Sequence, residues 1–349
     1  MAFAHQVGGH ANTILASPLS SSTLIKPASA RELDFYQRLA PNLNDGDFLG
    51  TWTPAFYGTL KLQGKMGEEG GVDKLDTAGD EQGQVEPEML VLENLTHRFL
   101  HPNVLDIKLG TQLFDEDASE EKKERMRKAA QSSTSGETGI RLTGFQVWNS
   151  LTSSYTTTPK PFGRALLPSE LPLGLARFFY PSPTLSPPSS AETSGAVPPA
   201  DGPASPTLPR DLLLPVLRTL GRRLEQLERV LEGCEIRMRG GSLLIVVEGD
   251  AGALEAALLR AQEDVPEEEE GDDAASVSTT DSEGNAAPHT LQAFDVRLID
   301  FAHTRGLMEG KKGPDEGVLK GVRTVRELVR GLVGKLEEME REKEAGERR

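Results

Sequence analysis

The 349-residue chain has a single cysteine, Cys234, and no long apolar segment. One thiol cannot form an intrachain disulfide, so the sequence predicts a protein of a reducing, intracellular compartment. The longest apolar runs, such as LLIVV at 243–247, are too short to cross a bilayer. The opening residues MAFAHQVGGHANTIL also lack a basic stretch followed by a continuous apolar one. We therefore expect a soluble protein with no membrane span and no signal peptide.

The formal charge of −16 is unevenly distributed along the chain. Residues 263–283 carry ten acids and no base, and residues 67–87 carry seven acids and one lysine. The formal charge of the remaining residues is close to zero. The acidity therefore belongs to inserts, and the roughly neutral core does not exclude a polyanionic ligand.

Periodicity predicts a mixed α and β chain without internal repeats. The first hundred residues indicate mostly antiparallel β-structure with one helix at 30–40, and the aromatic and threonine-rich stretch 48–64 suggests paired strands. The charged stretch 115–131 predicts a helix whose simplest interpretation is a solvated surface. A further hairpin is predicted at 234–250, around Gly240 and Gly241.

The second half of the chain combines long helices with two inserts. Leucines 213, 217, 220, 224, 227 and 231 recur every three or four positions and predict one long helix, and another is expected at 315–346. Residues 180–209 are rich in proline and serine and predict a disordered insert. Residues 263–288 predict a second, acidic insert without regular structure.

The stretch HPNVLDIKLG at 101–110 predicts a strand with two unlike faces. Side chains alternate along a strand, so Leu105, Ile107 and Leu109 share one face, and Val104, Asp106 and Lys108 share the other. The first face is expected to be buried. The second carries the charges, which indicates a chemical role.

Several separated residues are of the types that phosphoryl transfer requires. That reaction needs cations beside the phosphates, a carboxylate to hold magnesium, and positioning of nucleophile and leaving oxygen. The chain offers, in kinase-like order, Lys26 at the end of a predicted strand, LENL at 92–95, the Asp106 and Lys108 strand, and LIDF at 298–301. Each of these signals is weak by itself.

Together these residues resemble the inositol polyphosphate kinase family. Its hallmark, Pro-x-x-x-Asp-x-Lys-x-Gly, is complete here at Pro102, Asp106, Lys108 and Gly110. Further matching segments, in the same order, are HQVGGH, IKP with ELDFY, LENLTHRF, DEDASEEKKERM, LIDFAHT and GPDEG. A Gly-x-Gly-x-x-Gly loop is absent from the sequence, which argues against an ordinary protein kinase.

The resemblance implies an α+β fold like a reduced protein kinase, also called SAICAR synthase-like. A β-rich N-lobe would span residues 1–95, including a flexible acidic loop at 67–87. An α+β C-lobe would span 96–346 and carry an inositol-phosphate-binding helix at about 115–131. ATP would bind between the lobes.

Roles for individual residues follow from the same resemblance. Lys26 would contact the ATP phosphates, the backbone of Glu93 and Leu95 the adenine, and Asp106 the ribose hydroxyls. Lys108 would reach the transferred phosphoryl group and the substrate, and Asp300 would ligate Mg²⁺. The remaining candidates share a position on the substrate side: Lys122, Arg125, Lys128, Lys160 and His303. Each role has a structural alternative. Lys26 could bury its aliphatic stem and keep its ammonium group in water, Lys108 could form an ion pair with Asp106, and His303 could have only a structural role.

The implied activity is that of an ATP- and Mg²⁺-dependent inositol polyphosphate multikinase, which phosphorylates inositol tris- and tetrakisphosphates. ASEEKKERMRKAAQSSTSGETGIRLTG favours the fungal multikinase branch, with hexakisphosphate kinase, which makes pyrophosphates, as the alternative. A non-catalytic interaction protein, whose acidic insert recruits transcription factors, is a third interpretation. The resemblance places the protein in the nucleus and cytoplasm, and direct nucleic-acid binding is not expected.

Overall fold

The structure is a computed structural model that describes most of the chain outside its inserts. The described residues are 3–8, 13–18, 20–43, 47–61, 65–66, 72–73, 88–180, 208–263, 292–306 and 313–347. The predicted inserts at 180–209 and 263–288 lie almost entirely outside these ranges, as does most of the acidic loop at 67–87. Within the described ranges, no helix has the length and apolar character needed to cross a membrane.

Strands occur in both halves of the described chain. Their bounds are β1 Leu15–Ala16, β2 Thr23–Pro27, β3 Phe56–Lys61, β4 Lys65–Met66, β5 Val72–Asp73, β6 Glu88–Glu93, β7 Pro102–Leu109, β8 Ile140–Asn149, β9 Ser154–Thr158, β10 Ile236–Met238, β11 Ser242–Glu248, β12 Phe294–Ile299 and β13 Thr304–Gly306.

The helices are concentrated after β7. Their bounds are α1 Ala30–Asp34, α2 Asp47–Trp52, α3 Glu120–Gln131, α4 Thr134–Thr138, α5 Lys160–Ala165, α6 Leu171–Phe179, α7 Arg210–Glu232, α8 Ala251–Glu263 and α9 Glu316–Glu347. The chain continues directly from α1 into a π-helical turn at Phe35–Leu39 and a 3₁₀ turn at Ala40–Asn42.

Two antiparallel sheets form the frame. The first contains four strands in the order β1-β2-β6-β3, and the second contains five in the order β12-β11-β7-β8-β9. Two small pairs, β10 with β13 and β4 with β5, complete the described strands. The hallmark strand β7 is therefore the central strand of the larger sheet.

The central position of β7 changes the expectation for its two faces. Leu105, Ile107 and Leu109 are fully buried, as predicted, but Val104 and Asp106 on the opposite face are buried too. Val104 packs with Val246 and the half-buried Val7, so the N-terminal segment helps to cover this face. The buried face is confirmed, and the charged face is covered as well, because a central strand is covered on both sides.

Two long helices cover the larger sheet. The six leucines of the predicted stripe are all buried along α7, which packs against α9, and this confirms the predicted long helix. Helix α9 also contacts β7 and β8, and its bounds agree with the prediction to one residue. Burying one leucine side chain contributes about 1.5–3 kcal/mol to the stability of the fold, so this stripe supplies much of the hydrophobic core.

The predicted hairpin around Gly240 is wrong. β10 pairs with β13, whereas β11 pairs with β7 and β12, so the two strands belong to different sheets. Gly240 has φ +69°, and a Cβ on Gly241 would lie 2.6 Å from the Met238 sulfur. These two glycines redirect the chain from one sheet to the other rather than folding it back.

Two further boundaries differ from the sequence-based expectation. Residues 47–52 form α2 instead of a strand, because Phe48 and Trp52, four positions apart, turn to the same side and are buried in the core. The helix expected at 115–131 begins only at Glu120, where the Ser119 hydroxyl accepts a hydrogen bond from the Lys122 amide at 3.3 Å. A serine cap of this kind fixes the start of a helix.

Candidate active site

A cavity of about 130 Å³ lies between the two sheets. Its walls come from β2 and β6 of the first sheet and from β7, β11 and the end of β12 of the second. The N-terminal residues 3–8 contribute a further wall. The predicted residues Lys26, Glu93, Leu95, Asp106 and Asp300 all line this cavity.

Lys26 on β2 forms two ion pairs, one with Asp300 directly after β12 and one with Glu32 on α1. Its Nζ atom lies 2.7 Å from Asp300 Oδ1 and 2.9 Å from Glu32 Oε1. Glu32 is buried and also accepts a hydrogen bond from the Phe301 amide at 3.3 Å. Sequence reasoning missed Glu32 as a site residue, although it lies in the matching segment ELDFY and its helix follows the strand of Lys26.

The charges of Lys26 and Asp300 stabilise each other. Burial would lower the pKa of Lys26, but the charges of Asp300 and Glu32 outweigh it and raise the pKa above its ordinary value. Burial would raise the pKa of Asp300, but the Lys26 charge and hydrogen bond lower it. Asp300 is therefore an anion at neutral pH.

The backbone of Asp300 is strained. Its φ of +65° lies in the left-handed region, which few residues other than glycine adopt. The next residue, Phe301, is fully buried and stacks on Phe35 with ring centroids 3.8 Å apart. Packing of Phe301 therefore holds Asp300 in a conformation that aims its carboxylate into the cavity, as expected where strain serves a site.

Asp106 is a buried carboxylate with spare hydrogen-bonding capacity. It is 3% exposed and lies beside the Ser242 and Thr143 hydroxyls, but its Oδ1 atom forms no hydrogen bond of standard geometry among the described residues. Burial, and then the negative charge of Asp300, raise the pKa of Asp106 to about 6, while the Lys108 charge partly opposes them. A Cβ on Gly8 would lie 1.6 Å from Asp106 Oδ2, so only glycine fits there.

Lys108 lies at the outer edge of the same strand face. Its ammonium group donates to the Gly240 carbonyl oxygen rather than forming a close ion pair with Asp106. Lys108 pairs in register with Arg141 on β8, a half-buried arginine that the sequence reasoning missed. Burial, and then the charge of Arg164, lower the pKa of Arg141. The sequence signal for Arg141 was its place on β8, the strand that follows the hallmark strand and on which side chains alternate between the two faces of the sheet.

The predicted adenine contacts lie at the end of β6. Glu93 is the last residue of that strand, and its side chain accepts a hydrogen bond from the Ala55 amide at 3.1 Å. Leu95 is buried two residues later, where the chain passes from the first sheet toward the second. Both residues line the cavity, so their backbone groups lie at the joint between the lobes.

The substrate-side candidates lie in three places: His303 follows β12, three cations lie on α3, and Lys160 lies on α5. His303 is half-exposed, and burial, followed by the charges of Lys122, Arg31 and Lys108, lowers its pKa, so these cations lie around it. Lys122 and Arg125 are exposed on α3 and form no ion pair with described residues, whereas Lys128 faces Glu124 at 3.8 Å. Lys160 begins α5, which packs on β8 outside the cavity lining.

The family is decided by sequence comparison. A profile described as "Inositol polyphosphate kinase" matches residues 89–196 and 209–330, well over half of the chain. The chain belongs to the inositol polyphosphate kinase family. Its activity is accordingly that of an inositol phosphate kinase.

Named relatives of this inositol polyphosphate kinase fall in two branches. It is 27% identical to the inositol polyphosphate multikinase of Saccharomyces cerevisiae over 93% of this chain and 96% of that protein. It is 32% identical to inositol hexakisphosphate kinase 2 of Oryctolagus cuniculus, over 69% of this chain. The match spans about half the length of that hexakisphosphate kinase, 50%.

A solved structure supports the fold. The inositol phosphate multikinase of S. cerevisiae, crystallised with ADP and Mn²⁺, superposes with a TM-score of 0.59 at 26% identity, covering 89% of this chain and 99% of that one. Like that enzyme, the chain has the reduced protein-kinase-like two-lobe α+β fold, which confirms the predicted fold class.

Proposed function

We propose that this kinase is a multikinase that transfers the terminal phosphoryl group of ATP to hydroxyls of inositol tris- and tetrakisphosphates. The observation that carries the proposal is the convergence of Lys26, Asp106 and Asp300 in one cavity, with Lys108 on the same strand as Asp106. The match to a multikinase along nearly the whole chain supports this branch.

The nucleotide belongs in the cavity between the sheets. The backbone of Glu93 and Leu95 would bind the adenine, and the free oxygen of Asp106 would accept from the ribose hydroxyls. Lys26 would contact the phosphates, because Glu32 remains as its partner when Asp300 turns to a metal. The yeast multikinase structure contains ADP, which supports a nucleotide here.

Asp300 fits a divalent cation such as Mg²⁺. The described residues contain no group of three or more acidic, histidine or cysteine side chains that could hold a metal by themselves. Mg²⁺ is commonly held by one or two carboxylates together with substrate phosphates, and Asp300 with its phosphate-facing cavity offers that arrangement. The negative charges of Asp300 and Asp106 disfavour each other, which a cation would relieve. A bound divalent ion supplies neutralisation of phosphate charge.

The acceptor belongs on the outer side of Lys108. Lys108 and Lys122 lie around His303, and Arg141 is the register partner of Lys108. With Arg125, which is exposed on the helix of Lys122, these cations would offer hydrogen bonds to several phosphates. Lys128 and Lys160 would reach more peripheral phosphates. In the reaction a bond forms between an inositol hydroxyl oxygen and the terminal phosphorus, the bond to the bridging oxygen breaks, ADP leaves, and the hydroxyl proton is released to solvent. Lys108 stabilises the charge on the transferred group.

One other activity has specific support, and a non-catalytic role stays a prediction. Identity of 32% to a hexakisphosphate kinase favours pyrophosphate synthesis as the second candidate. A non-catalytic role through the acidic insert rests on residues outside the described ranges. The location in nucleus and cytoplasm, and transcription-factor partners, likewise stay predictions from the resemblance.

The test is product analysis with a matched variant. Purified protein is incubated with Mg²⁺, labelled ATP and, separately, inositol tris-, tetrakis-, pentakis- and hexakisphosphates, and the products are resolved. Products from the tris- and tetrakisphosphates support the multikinase, whereas a product only from hexakisphosphate supports the second candidate. Lys108→Ala should abolish transfer, while Lys320→Ala, on the exposed side of α9, should not. Unchanged activity in Lys108→Ala would remove Lys108 from the mechanism.

A further inference from the structure

Three consecutive acids, Asp115, Glu116 and Asp117, lie just before α3, with only Ala118 between them and the Ser119 cap. These three residues form the acidic tripeptide. Their ion-pair partners are arginines from three separate parts of the fold. Arg31 belongs to α1, Arg239 follows β10, and Arg305 lies in β13. The segment that leads into α3 is therefore anchored from three directions.

Asp115 is the buried hub of this network. It is 7% exposed and pairs with both Arg31 and Arg305, and its Oδ2 atom lies 3.5 Å from His303 Nδ1. Asp117 is more exposed and accepts from the same two arginines, at 2.6 Å from Arg31 and 3.0 Å from Arg305. Two acids thus bridge two arginines beside the proposed acceptor site.

Arg239 provides a second, separate anchor. Its guanidinium is almost fully buried, lies 3.0 Å from Glu116, and also pairs with Asp315. The Asp315 side chain accepts from the Gly317 and Val318 amides at the start of α9. The acidic tripeptide is thereby tied to the helix that supports the central strand.

One turn of α1 connects this network to the nucleotide side. Arg31 pairs with the acidic tripeptide, and its neighbour Glu32 holds Lys26 and the Phe301 amide. Arg31 and Glu32 are consecutive residues of α1, so the two sets of contacts start from the same turn of one helix. Their side-chain partners are separate.

We propose that the acidic tripeptide, held by Arg31, Arg239 and Arg305, positions α3 and His303 for the inositol phosphate. This inference rests on the proposed function of α3 as part of the acceptor site. The three arginines act as positioning residues, because carboxylates already neutralise them. Their role is to fix the height and direction at which α3 presents Lys122 and Arg125.

The sign of one substitution separates positioning from simple charge effects. Asp115→Asn removes a negative charge beside a polyanion site, so charge alone would tighten inositol phosphate binding and lower its KM. Positioning predicts the opposite, because the amide cannot hold two arginines. We expect the KM for inositol tetrakisphosphate to rise roughly tenfold, and the KM for ATP to stay within about twofold.

A matched control is available between α7 and α9. Glu228 is also a buried acid that pairs with two arginines, Arg323 and Arg326, far along the chain from the acceptor site. Glu228→Gln should destabilise the protein comparably while leaving both KM values unchanged. General loosening of the fold is thereby distinguished from loss of positioning.

Amide hydrogen exchange gives a readout that does not need activity. In the ligand-free Asp115→Asn variant, amides of α3 should exchange faster than in the wild type, and those of α7 should be unchanged. In Glu228→Gln, amides of α7 should exchange faster, and those of α3 should be unchanged. Should Asp115→Asn fail to fold, Arg31→Gln on the more exposed partner replaces it. Unchanged exchange in α3, or a lowered KM, overturns the proposal. An inactive wild type would refute the proposed function, and exchange would still decide the positioning.

Discussion

Asp106 gives a prediction in which improved stability accompanies weaker nucleotide binding. The carboxyl is buried against the cavity, and its pKa is raised from the ordinary 3.8 to about 6, first by burial and then by Asp300. Because each pKa unit corresponds to about 1.4 kcal/mol, ionised Asp106 costs the ligand-free fold about 3 kcal/mol at neutral pH. We expect Asp106→Asn to remove most of this cost.

The pH dependence gives the sign of the effect. Between pH 3.8 and about pH 6, the folded protein keeps a proton on Asp106 that the unfolded chain has already lost. The unfolded state therefore binds fewer protons in this window, and the contribution of Asp106 to stability falls as the pH rises through it. Below the window the penalty is absent, and above it the penalty is complete.

Urea unfolding at two pH values measures this contribution. At pH 7 the free energy of unfolding of Asp106→Asn should exceed that of the wild type by about 1–3 kcal/mol, since the new amide retains some unsatisfied polarity. At pH 4, near the lower end of this window, most of the difference should be gone. The same variant should show a smaller increase in melting temperature with ADP, because a charged acceptor for the ribose is lost.

Asp295→Asn serves as the control for this substitution. Asp295 on β12 is also well buried but is paired with Arg297 at 3.0 Å, so the amide should not stabilise the protein there. A variant at Asp106 that is less stable than the wild type at pH 7, or a difference that does not change with pH, would refute the reasoning.

Three further predictions concern separate parts of the chain. Arg125→Glu should raise the KM for the inositol phosphate about 10–100-fold with little change in the KM for ATP. The control Arg222→Glu, exposed on α7, should change neither KM. Equal effects of Arg125→Glu on both KM values would show that α3 is a plain surface helix. Leu220→Ala, in the buried stripe of α7, should lower the free energy of unfolding by about 3–5 kcal/mol in a denaturant titration, and a loss below 1 kcal/mol would contradict the packing. Deleting residues 264–283, which follow the end of α8, should leave kcat within a few-fold, and collapse of folding would place that segment in the core.

Local patterns predicted the long elements well because each carries its own periodic signal. The leucines of α7 and the final helix α9 could be placed to within a few residues, since a buried stripe of that length has few alternatives. The fold class required the combined motifs, because no single stretch specifies two lobes. The hairpin at Gly240 failed because the partner of β10 is β13, which lies far along the chain and is not visible locally.

The site was only partly accessible from sequence for a similar reason. Lys26, Asp106 and Asp300 could be named because they lie in matching segments, and the structure brings all three to one cavity. Glu32 and Arg141 were missed because their importance depends on neighbours in space, Lys26 in one case and Lys108 across the ladder in the other. Most charged residues in strands and helices are solvent-exposed and have no role in a site. Only the tertiary contact of Glu32 or Arg141 identifies it as a site residue.

The position of β7 also has a consequence for biosynthesis. Its partner β11 ends at Glu248, so the ribosome completes β11 long after it has released β7. At translation rates of about 5–20 residues per second, one edge of the hallmark strand stays unpaired for on the order of ten seconds. Nascent chains in this interval expose an apolar strand edge, and chaperone binding should therefore peak before residue 248 emerges.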